Sequence, residues 1–173
     1  MFNFFVESEA LNNNTFSITG NDYNHIKNVL RMQAGDTFLV SCDGKSHLCS
    51  LSGFTDDTVL AEIVEENYQN TELGTKIHLF QGLAKGDKME WIIQKCVELG
   101  ASEIIPVEMT NCVVKLEEKK KKSKQTRWQA ISESAAKQSK RNIIPEVKDV
   151  CSFKEAIKQA KDLDLFVVPY ENE

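Results

Sequence analysis

The sequence predicts an α/β fold (α+β overall), in which a small N-terminal β-barrel is followed by a parallel α/β domain. Residues 37–65 are β-rich and interrupted by turn residues, which is typical of a β-meander. Residues 77–107 instead follow the order strand, helix, strand, the pattern of a right-handed parallel crossover. The acidic, turn-rich residues 65–74 separate the two patterns. We therefore predict domains at residues 1–70 and 74–173.

The predicted barrel consists of short strands that wrap one helix at residues 22–30. Gly35 and Asp36 turn the chain out of this helix, and Asp43 and Gly44 form an Asp-Gly pair, which is a strong hairpin signal. The predicted strands are residues 4–6, 15–18, 37–42, 45–53 and 58–65.

The predicted α/β domain alternates apolar strands with helices that have a 3.6-residue apolar period. We predict strands at residues 77–83, 103–107 and 164–168, and helices at residues 88–99, 125–140 and 152–161. The last of these strands is expected to be buried, because parallel strands are normally covered on both faces.

Both ends of the helix at residues 88–99 carry end signals. Asp87 is a predicted N-cap, and Glu90 follows it at capping-box spacing. Gly100 comes after the last turn, where a left-handed backbone favours glycine. Both ends of this helix are therefore marked in the sequence.

The same helix has an apolar face and a polar face that contains a tryptophan. Trp91 lies in the middle of the polar face, where a helix packed on one side would not place a large aromatic ring. Either Trp91 packs beneath a further layer of structure, or its face contacts a substrate or a second subunit. The apolar face is Met89, Ile92, Ile93, Cys96, Val97 and Leu99, and the polar face is Lys88, Trp91, Gln94, Lys95 and Glu98.

The net charge of −5 is unevenly distributed along the chain. Residues 1–73 hold 3 basic and 11 acidic side chains, a balance of −8, whereas residues 74–173 hold 18 and 15, a balance of +3. Residues 115–141 alone hold 10 basic and 3 acidic side chains. A local excess of this kind is typical of a polyanion-binding surface, although the lysine run at residues 119–122 is also compatible with a solvated loop or helix end.

The predicted helix at residues 125–140 carries a stripe of polar side chains. Arg127, Ser134, Gln138 and Arg141 follow one another at spacings that align them along one flank. Two guanidinium groups on one stripe suit a phosphate or a carboxylate. The alternative is a pair of intramolecular salt bridges, and the sequence does not favour either interpretation.

Composition argues against several other classes of protein. No apolar run is long enough to cross a bilayer, and the first residues lack the basic and apolar regions of a signal peptide, so we expect a cytoplasmic protein. The five cysteines form no Cys-x-x-Cys pair and have no histidine at metal-ligand spacing. We therefore expect reduced, mostly buried thiols and no metal site.

Short motifs follow one another in a fixed order along the chain. They are HIKNVLRM at residues 25–32, GD at 35–36, KGDKME at 85–90, QK at 94–95, ELG at 98–100, RW at 127–128, QS at 138–139, Arg141, and IP at 144–145. Together they resemble the bacterial 16S ribosomal RNA uridine N3-methyltransferase family, and the resemblance covers nearly the whole chain.

The resemblance implies both a fold and an activity. The fold is a PUA-like barrel followed by a SPOUT domain, an α/β domain tied in a trefoil knot. The implied cofactor is S-adenosylmethionine, and the implied partners are 16S rRNA or the small ribosomal subunit and a second copy of the chain in a homodimer. The implied methyl acceptor is the N3 of a uridine near the decoding site, with uridine 1498 as the family target.

The chain departs from the family at its end. Family members continue past the position of Glu173 into a Gly-Pro-Glu-Gly-Gly loop, a Leu-Gly turn and a further helix, which form the knot and hold the cofactor. We therefore expect this chain to be the larger part of such an enzyme, truncated before the knot and inactive alone. The alternative is a non-catalytic RNA-binding or ribosome-associated module.

The resemblance also selects candidate site residues. Glu90 and Glu98 are expected to orient basic groups rather than to accept a proton, and Gln138 is a further supporting residue. No catalytic, cofactor-binding or metal-binding residue is assigned, because the sequence offers no histidine or carboxylate with a defined geometry for removing the N3 proton. The candidate RNA-binding residues are Arg31, Lys85, Lys95, Arg127 and Arg141.

Overall fold

The computed structural model describes residues 1–110 and 116–169, and the chain divides into two compact units. The first unit comprises Met1–Thr75 and Glu133–Ile144, and the second comprises Lys76–Ser132 and Pro145–Glu173. The domain boundaries at residues 70 and 74 stay a prediction. That prediction did not include Glu133–Ile144 in the first unit.

The first unit contains a six-stranded mixed sheet that forms a half-barrel. The strand order is β1-β4-β5-β6-β3-β2, in which β1 runs parallel to β4 and all other neighbours are antiparallel. The strands are β1 (Asn3–Phe5), β2 (Leu11–Asn12), β3 (Thr15–Ile18), β4 (Thr37–Cys42), β5 (Lys45–Phe54) and β6 (Val59–Gln69), and a 3-10 turn spans Ser8–Ala10. The predicted meander is confirmed, since β4, β5 and β6 pair in sequence.

The core of the first unit lies on the inner face of this sheet. Phe4 and Phe38 meet edge to face, with ring centroids 5.5 Å apart, and Phe16 and Ile26 are also fully buried. A buried aromatic ring of this kind stabilises a fold by about 3–5 kcal/mol relative to alanine. The packed rings therefore account for much of the stability of this unit.

The predicted helix at residues 22–30 is instead two short elements. An α-helix, α1 (Gly20–Asn24), is followed directly by a π-helical turn at His25–Val29. The Leu30 amide donates to the His25 carbonyl at 2.9 Å, five residues back, which widens the turn. Arg31 then adopts a left-handed backbone with φ of 52° and ends the helix.

A buried ion pair fixes residues 133–144 within the first unit. The Arg141 guanidinium contacts the Glu72 carboxylate through Nη2 at 2.5 Å and Nε at 3.0 Å, and the Arg141 side chain is only 3% exposed. The Glu72 carboxylate also accepts hydrogen bonds from the backbone amides of Asn142 at 2.7 Å and Ile143 at 3.3 Å. The Arg141 carbonyl in turn accepts from Asn3 Nδ2 on β1 at 3.0 Å. These contacts explain why the segment belongs to this unit.

The second unit contains a parallel sheet with β8 at its centre. β7 pairs with β8 along its length, and the short strands β9 and β10 pair with the start and the end of β8. The elements are β7 (His78–Gly82), α2 (Lys88–Glu98), β8 (Glu103–Glu108), α3 (Glu118–Ser139), β9 (Glu146–Val147), β10 (Cys151–Ser152) and α4 (Phe153–Ala160). The strand–helix–strand prediction is confirmed, and the last turns of α3 fall in the first unit.

Two predictions for the second unit are wrong. Residues 164–168 form no strand, and Leu165 and Val167 are 77% and 70% exposed. An apolar run becomes a buried strand only when neighbouring strands and helices cover it, and in the part of the chain that the structure describes no strand pairs with it. The helix predicted at residues 125–140 instead begins at Glu118 and ends at Ser139. Arg141 therefore lies beyond the helix.

The ends of α2 confirm one predicted cap and correct another. Asp87 is the N-cap, but its side chain makes no capping hydrogen bond, and Glu90 is engaged elsewhere. At the other end Gly100 has φ of 99°, and its amide and that of Ala101 donate to the carbonyls of Val97 and Cys96. This pair of hydrogen bonds is a Schellman motif, as the glycine predicts. Leu99 caps the helix and is 77% exposed, so its prediction as a core residue is wrong.

The described cysteines are free thiols. Cys42 and Cys49 are buried, whereas Cys96 and Cys151 are only partly buried, and Cys112 lies outside the described residues. No helix among the described residues combines the length and apolar character needed to span a membrane. The same residues contain no group of three or more potential metal ligands.

Burial makes one thiol a reporter of unfolding. Desolvation raises the pKa of the Cys49 thiol to about 12, so almost none of it is thiolate near neutral pH. We expect Cys49 to resist iodoacetamide at pH 8 in the native protein and to react fully in urea, as measured by mass spectrometry of its peptide. The partly buried Cys151 is the internal control. Equal labelling of Cys49 with and without urea would contradict this assignment.

Candidate nucleic-acid interface

An exposed ion pair joins α2 to α3 within the second unit. The Glu90 carboxylate contacts Arg127 Nε and Nη2, each at 2.8 Å. Glu90 is 17% exposed and Arg127 is 63% exposed, so the carboxylate is held in the protein while the guanidinium extends into solvent. The hydrogen bond and charge of Glu90 raise the pKa of Arg127 further above its ordinary value. The pair presents a charged guanidinium in a fixed orientation.

A second carboxylate holds a lysine at the end of α2. Lys95 Nζ contacts Glu98 Oε2 at 2.7 Å, and Gln94 Nε2 donates to Glu98 Oε1 at 3.0 Å. The hydrogen bond from Lys95 is the main cause that lowers the pKa of the Glu98 carboxyl. Glu98 is therefore ionised at neutral pH and orients Lys95, and its role as a supporting residue stays a prediction.

Lys85 lies in the loop that leaves the carboxyl end of β7. It is exposed, and Gly86 beside it has φ of 62°, a left-handed conformation that glycine adopts without strain. Ligands of open α/β sheets bind in the crevice at the carboxyl ends of the strands. The fold places Lys85 at that edge.

The lysine run forms the first turns of α3. Lys121 contacts Glu108, the last residue of β8, at 3.4 Å, and Lys120 contacts Glu117 at 3.7 Å. Lys119 and Lys122 are exposed. Lysines near a helix N-terminus oppose the helix dipole, which favours anions at that position. The run therefore lies at a helix end, where Lys119 and Lys122 are exposed, and its binding of a polyanion stays a prediction.

Arg31 occupies a strained position in the first unit. Its backbone is left-handed, with φ of 52°, at the position after a helix where glycine or asparagine is usual. A side chain with a Cβ costs roughly 1–2 kcal/mol in this conformation. Arg31 is exposed, so core packing does not explain the choice of residue. Strain of this kind is a basis for a functional hypothesis.

The structure argues against a direct RNA contact for Arg141. Its guanidinium is 3% exposed and paired with Glu72, so a phosphate could reach it only after the ion pair broke. We therefore leave Arg141 out of the proposed RNA surface. Gln138 is exposed on the last turns of α3, and the predicted stripe from Arg127 to Arg141 does not exist as one helical face, because the helix ends at Ser139.

The predicted site residues fall into separate groups. The structure brings together Arg127 with Glu90 and Lys95 with Glu98 in the second unit, where Lys85 also lies. Arg31, Gln138 and Arg141 belong to the first unit. The sequence-based list omits Lys88 and Trp91, although their spacing on one exposed helix face was visible in the sequence. No catalytic residue is predicted from the sequence, and the described residues of the structure add none.

One histidine contacts a carboxylate in the second unit. His78 Nδ1 and Glu103 Oε2 are 2.9 Å apart, and Lys148 Nζ contacts Glu103 Oε1 at 3.1 Å. These residues lie at the amino ends of β7 and β8, whereas substrates of parallel sheets bind at the carboxyl ends. The contact joins neighbouring strands, and we assign it no part in proton transfer.

Two family models match the chain. An RNA methyltransferase PUA domain matches residues 18–64, and an RNA methyltransferase domain matches residues 71–173. The two matches follow the same order as the β-rich and α/β parts of the sequence. The second match alone covers more than half of the chain.

Curated relatives extend the likeness over almost the whole chain. The ribosomal RNA small subunit methyltransferase E of Bacillus subtilis (strain 168) is 46% identical over 158 residues, which cover 91% of this chain and 62% of the relative. The protein of the same name from Mesomycoplasma hyopneumoniae (strain 232) is 33% identical over 174 residues, covering 99% of this chain and 72% of the relative. The chain thus spans less than two thirds of the B. subtilis relative.

Solved structures show the same fold. The crystal structure of a hypothetical protein has a TM-score of 0.91 and 43% identity, covering 98% of this chain and 71% of the other. The ribosomal RNA small subunit methyltransferase E of Neisseria gonorrhoeae, solved bound to S-adenosyl methionine, has a TM-score of 0.76 and 32% identity, covering 92% of this chain and 66% of the other. These likenesses confirm the predicted fold class.

Proposed function

Because the chain belongs to the ribosomal RNA small subunit methyltransferase E family, we propose that it is part of an enzyme that methylates the N3 of a uridine in 16S rRNA. Family membership confirms the resemblance seen in the sequence motifs. It is also the single observation that carries the proposal, since both family models match in order along the chain. The proposed acceptor is uridine 1498.

The proposed methyl donor is S-adenosylmethionine, which the structure of the N. gonorrhoeae relative contains. At the carboxyl edge of the sheet, Glu108 pairs with Lys121, and Ser152 and Glu155 satisfy each other in a capping box. None of these four residues has a buried side-chain atom without a hydrogen-bond partner. By the resemblance, other loops of the family hold the cofactor, so we assign the described residues no cofactor contact.

The proposed task of the described residues is to bind and position RNA. Methylation at N3 requires an RNA base held in line with the donor, so much of the catalytic effect comes from positioning. In the second unit Glu90 holds the exposed Arg127, Glu98 holds the partly exposed Lys95, and Lys85 lies at the carboxyl edge of the sheet. We propose that these three cations contact phosphates, and that Arg31 does so from the first unit.

A second candidate function is RNA binding without catalysis. The observation that favours it is the set of cations in the second unit, Lys85, Lys95 and Arg127, which can contact phosphates whether or not a methyl group is transferred. The chain spans 62% of the B. subtilis relative, and by the resemblance the loops that hold the cofactor belong to the remaining part. We propose that the 173-residue polypeptide alone binds RNA and transfers no methyl group.

Other properties of the family are proposed for the chain on the same basis. We propose that the protein forms a homodimer and acts in the cytoplasm on the small ribosomal subunit. The division into an RNA-binding domain at residues 1–70 and a methyltransferase domain at residues 74–173 is likewise a proposal.

A methyl-transfer experiment tests the proposed function. The chain is fused to the C-terminal part of the B. subtilis relative that lies beyond the match, and the fusion is incubated with S-adenosylmethionine and small ribosomal subunits that lack the modification. We expect N3-methyluridine in the rRNA, detected by nuclease digestion and mass spectrometry, and none with the 173-residue chain alone. A folded fusion that binds the cofactor but methylates no uridine would contradict the proposed reaction. Methylation by the chain alone would contradict its expected inactivity.

A further inference from the structure

We propose that Trp91 is a stacking platform for an unpaired RNA base, an inference that rests on the proposed function. Trp91 is 63% exposed in the middle of α2, whereas the other tryptophan, Trp128, is 3% exposed. A large aromatic ring left in solvent costs free energy that folding does not recover. Its exposure therefore calls for a partner, which is a ligand, a second copy of the chain or a further layer of a longer protein, and the charges around the ring favour a ligand.

Cations flank Trp91 along the same helix face. Lys88 precedes it by three residues and Lys95 follows it by four, spacings that place all three side chains next to one another. Lys88 is exposed and has no ion pair among the residues that the structure describes, while Glu98 holds Lys95 in place. Glu90, directly before Trp91, orients Arg127. The ring thus lies between Lys88 and Lys95 on one face of α2, with Glu98 paired to Lys95 and the Arg127–Glu90 pair at the first turn of the same helix.

This arrangement fits a single-stranded polyanion with aromatic bases. Proteins that bind single strands combine cations that follow the phosphates with aromatic side chains on which bases stack. The base to be methylated must also leave its stack to be reached, which exposes unpaired bases near the reacting one. Trp91 would hold such a base while Lys88, Lys95 and Arg127 neutralise the adjacent phosphates.

A second copy of the chain fits this face less well. In a symmetric dimer centred on Trp91, each helix would present Lys88 and Lys95 to the same lysines of its partner, and like charges repel. Interface cores are also depleted of lysine, whereas RNA-binding surfaces are rich in it. The charge pattern therefore favours RNA, and the dimer becomes an outcome of the test.

Two labelled oligomers distinguish the contribution of base stacking to affinity from the contribution of phosphate charge. One is a single-stranded oligouridine, and the other is a ribose–phosphate oligomer of equal length without bases. Binding of each to the 173-residue chain is measured by fluorescence anisotropy. We expect the wild-type chain to prefer oligouridine by about 5- to 150-fold, the range measured for one stacked base. Trp91→Ala should remove this preference and leave the salt dependence unchanged, and Trp91→Phe should keep most of it.

The matched control is Phe153→Ala, which removes another exposed aromatic ring, 52% exposed, from the same unit. It should leave the preference intact. A Trp91→Ala protein that melts normally and still prefers oligouridine would overturn the inference. So would a variant that keeps the preference but loses dimerisation in sedimentation velocity, because Trp91 would then contact protein. If the wild-type chain binds neither oligomer at low salt, the proposed RNA-binding function fails instead.

Discussion

Replacement of Arg141 by alanine is expected to lower the free energy of unfolding by about 3–5 kcal/mol, because it leaves the Glu72 carboxylate buried without its partner. Arg141 is 3% exposed and Glu72 is 17% exposed, so water replaces the lost contacts poorly. The segment that carries Asn142 and Ile143 should also loosen, since Glu72 holds both backbone amides. Urea denaturation followed by circular dichroism measures the change.

The control for this prediction is an arginine–glutamate pair whose arginine is exposed rather than buried. Arg127 pairs with Glu90 in similar geometry but is 63% exposed, and exposed pairs contribute roughly 0–1 kcal/mol. Arg127→Ala should therefore change the unfolding midpoint little. Equal effects of the two arginine variants on stability would show that burial of the Arg141 pair is energetically unimportant.

The same ion pair should make stability depend on pH. Burial alone raises the pKa of the Glu72 carboxyl, but hydrogen bonds from Arg141 and from the amides of Asn142 and Ile143 outweigh it and lower the pKa below the ordinary 4.5. A carboxyl with a lowered pKa stabilises the folded state above its ordinary pKa and loses that contribution as pH falls through the folded value. Glu72→Gln should flatten the stability profile below pH 4.5.

Much of the fold was accessible from local patterns. The strands β4, β5 and β6 and the helix α2 carry their own signals, namely alternation, an Asp-Gly turn and a glycine at a helix end. Such signals depend on neighbours a few residues away, which a sequence displays directly. The short strands β9 and β10 were missed because two-residue strands are defined by pairing with β8 and have no pattern of their own.

The candidate site was less predictable, because it depends on distant partners. The spacing of Asp87 and Glu90 predicts a capping box, yet Arg127 competes for the Glu90 carboxylate from 37 residues away. Arg141 shows the same effect, since its partner Glu72 lies 69 residues earlier in the chain. Charge and spacing can identify a cation, but only the fold decides whether its partner is a carboxylate of the same chain.

Removal of three proposed phosphate contacts should weaken RNA binding by about 100-fold at 0.1 M salt, because each contact with single-stranded RNA contributes a slope of roughly 0.7 in the salt dependence of affinity. The variant combines Lys85→Gln, Lys95→Gln and Arg127→Gln, which keep polar side chains of similar length. Its logarithmic salt slope should be smaller in magnitude by about 2. Fluorescence anisotropy with oligouridine over a range of potassium chloride concentrations gives both quantities.

The matched control removes the same charge elsewhere on the second unit. Lys154, Lys158 and Lys161 are exposed on or directly after α4, and their replacement by glutamine changes the net charge equally. If binding depended on net charge alone, both triple variants would lose the same affinity. Local contacts predict that the α4 variant keeps most of its affinity and salt slope, because Coulomb interactions beyond about 10 Å are screened at 0.1 M salt. Equal losses would therefore exclude Lys85, Lys95 and Arg127 as specific phosphate contacts. A loss confined to the variant of these three residues would place the RNA backbone on the surface that carries them.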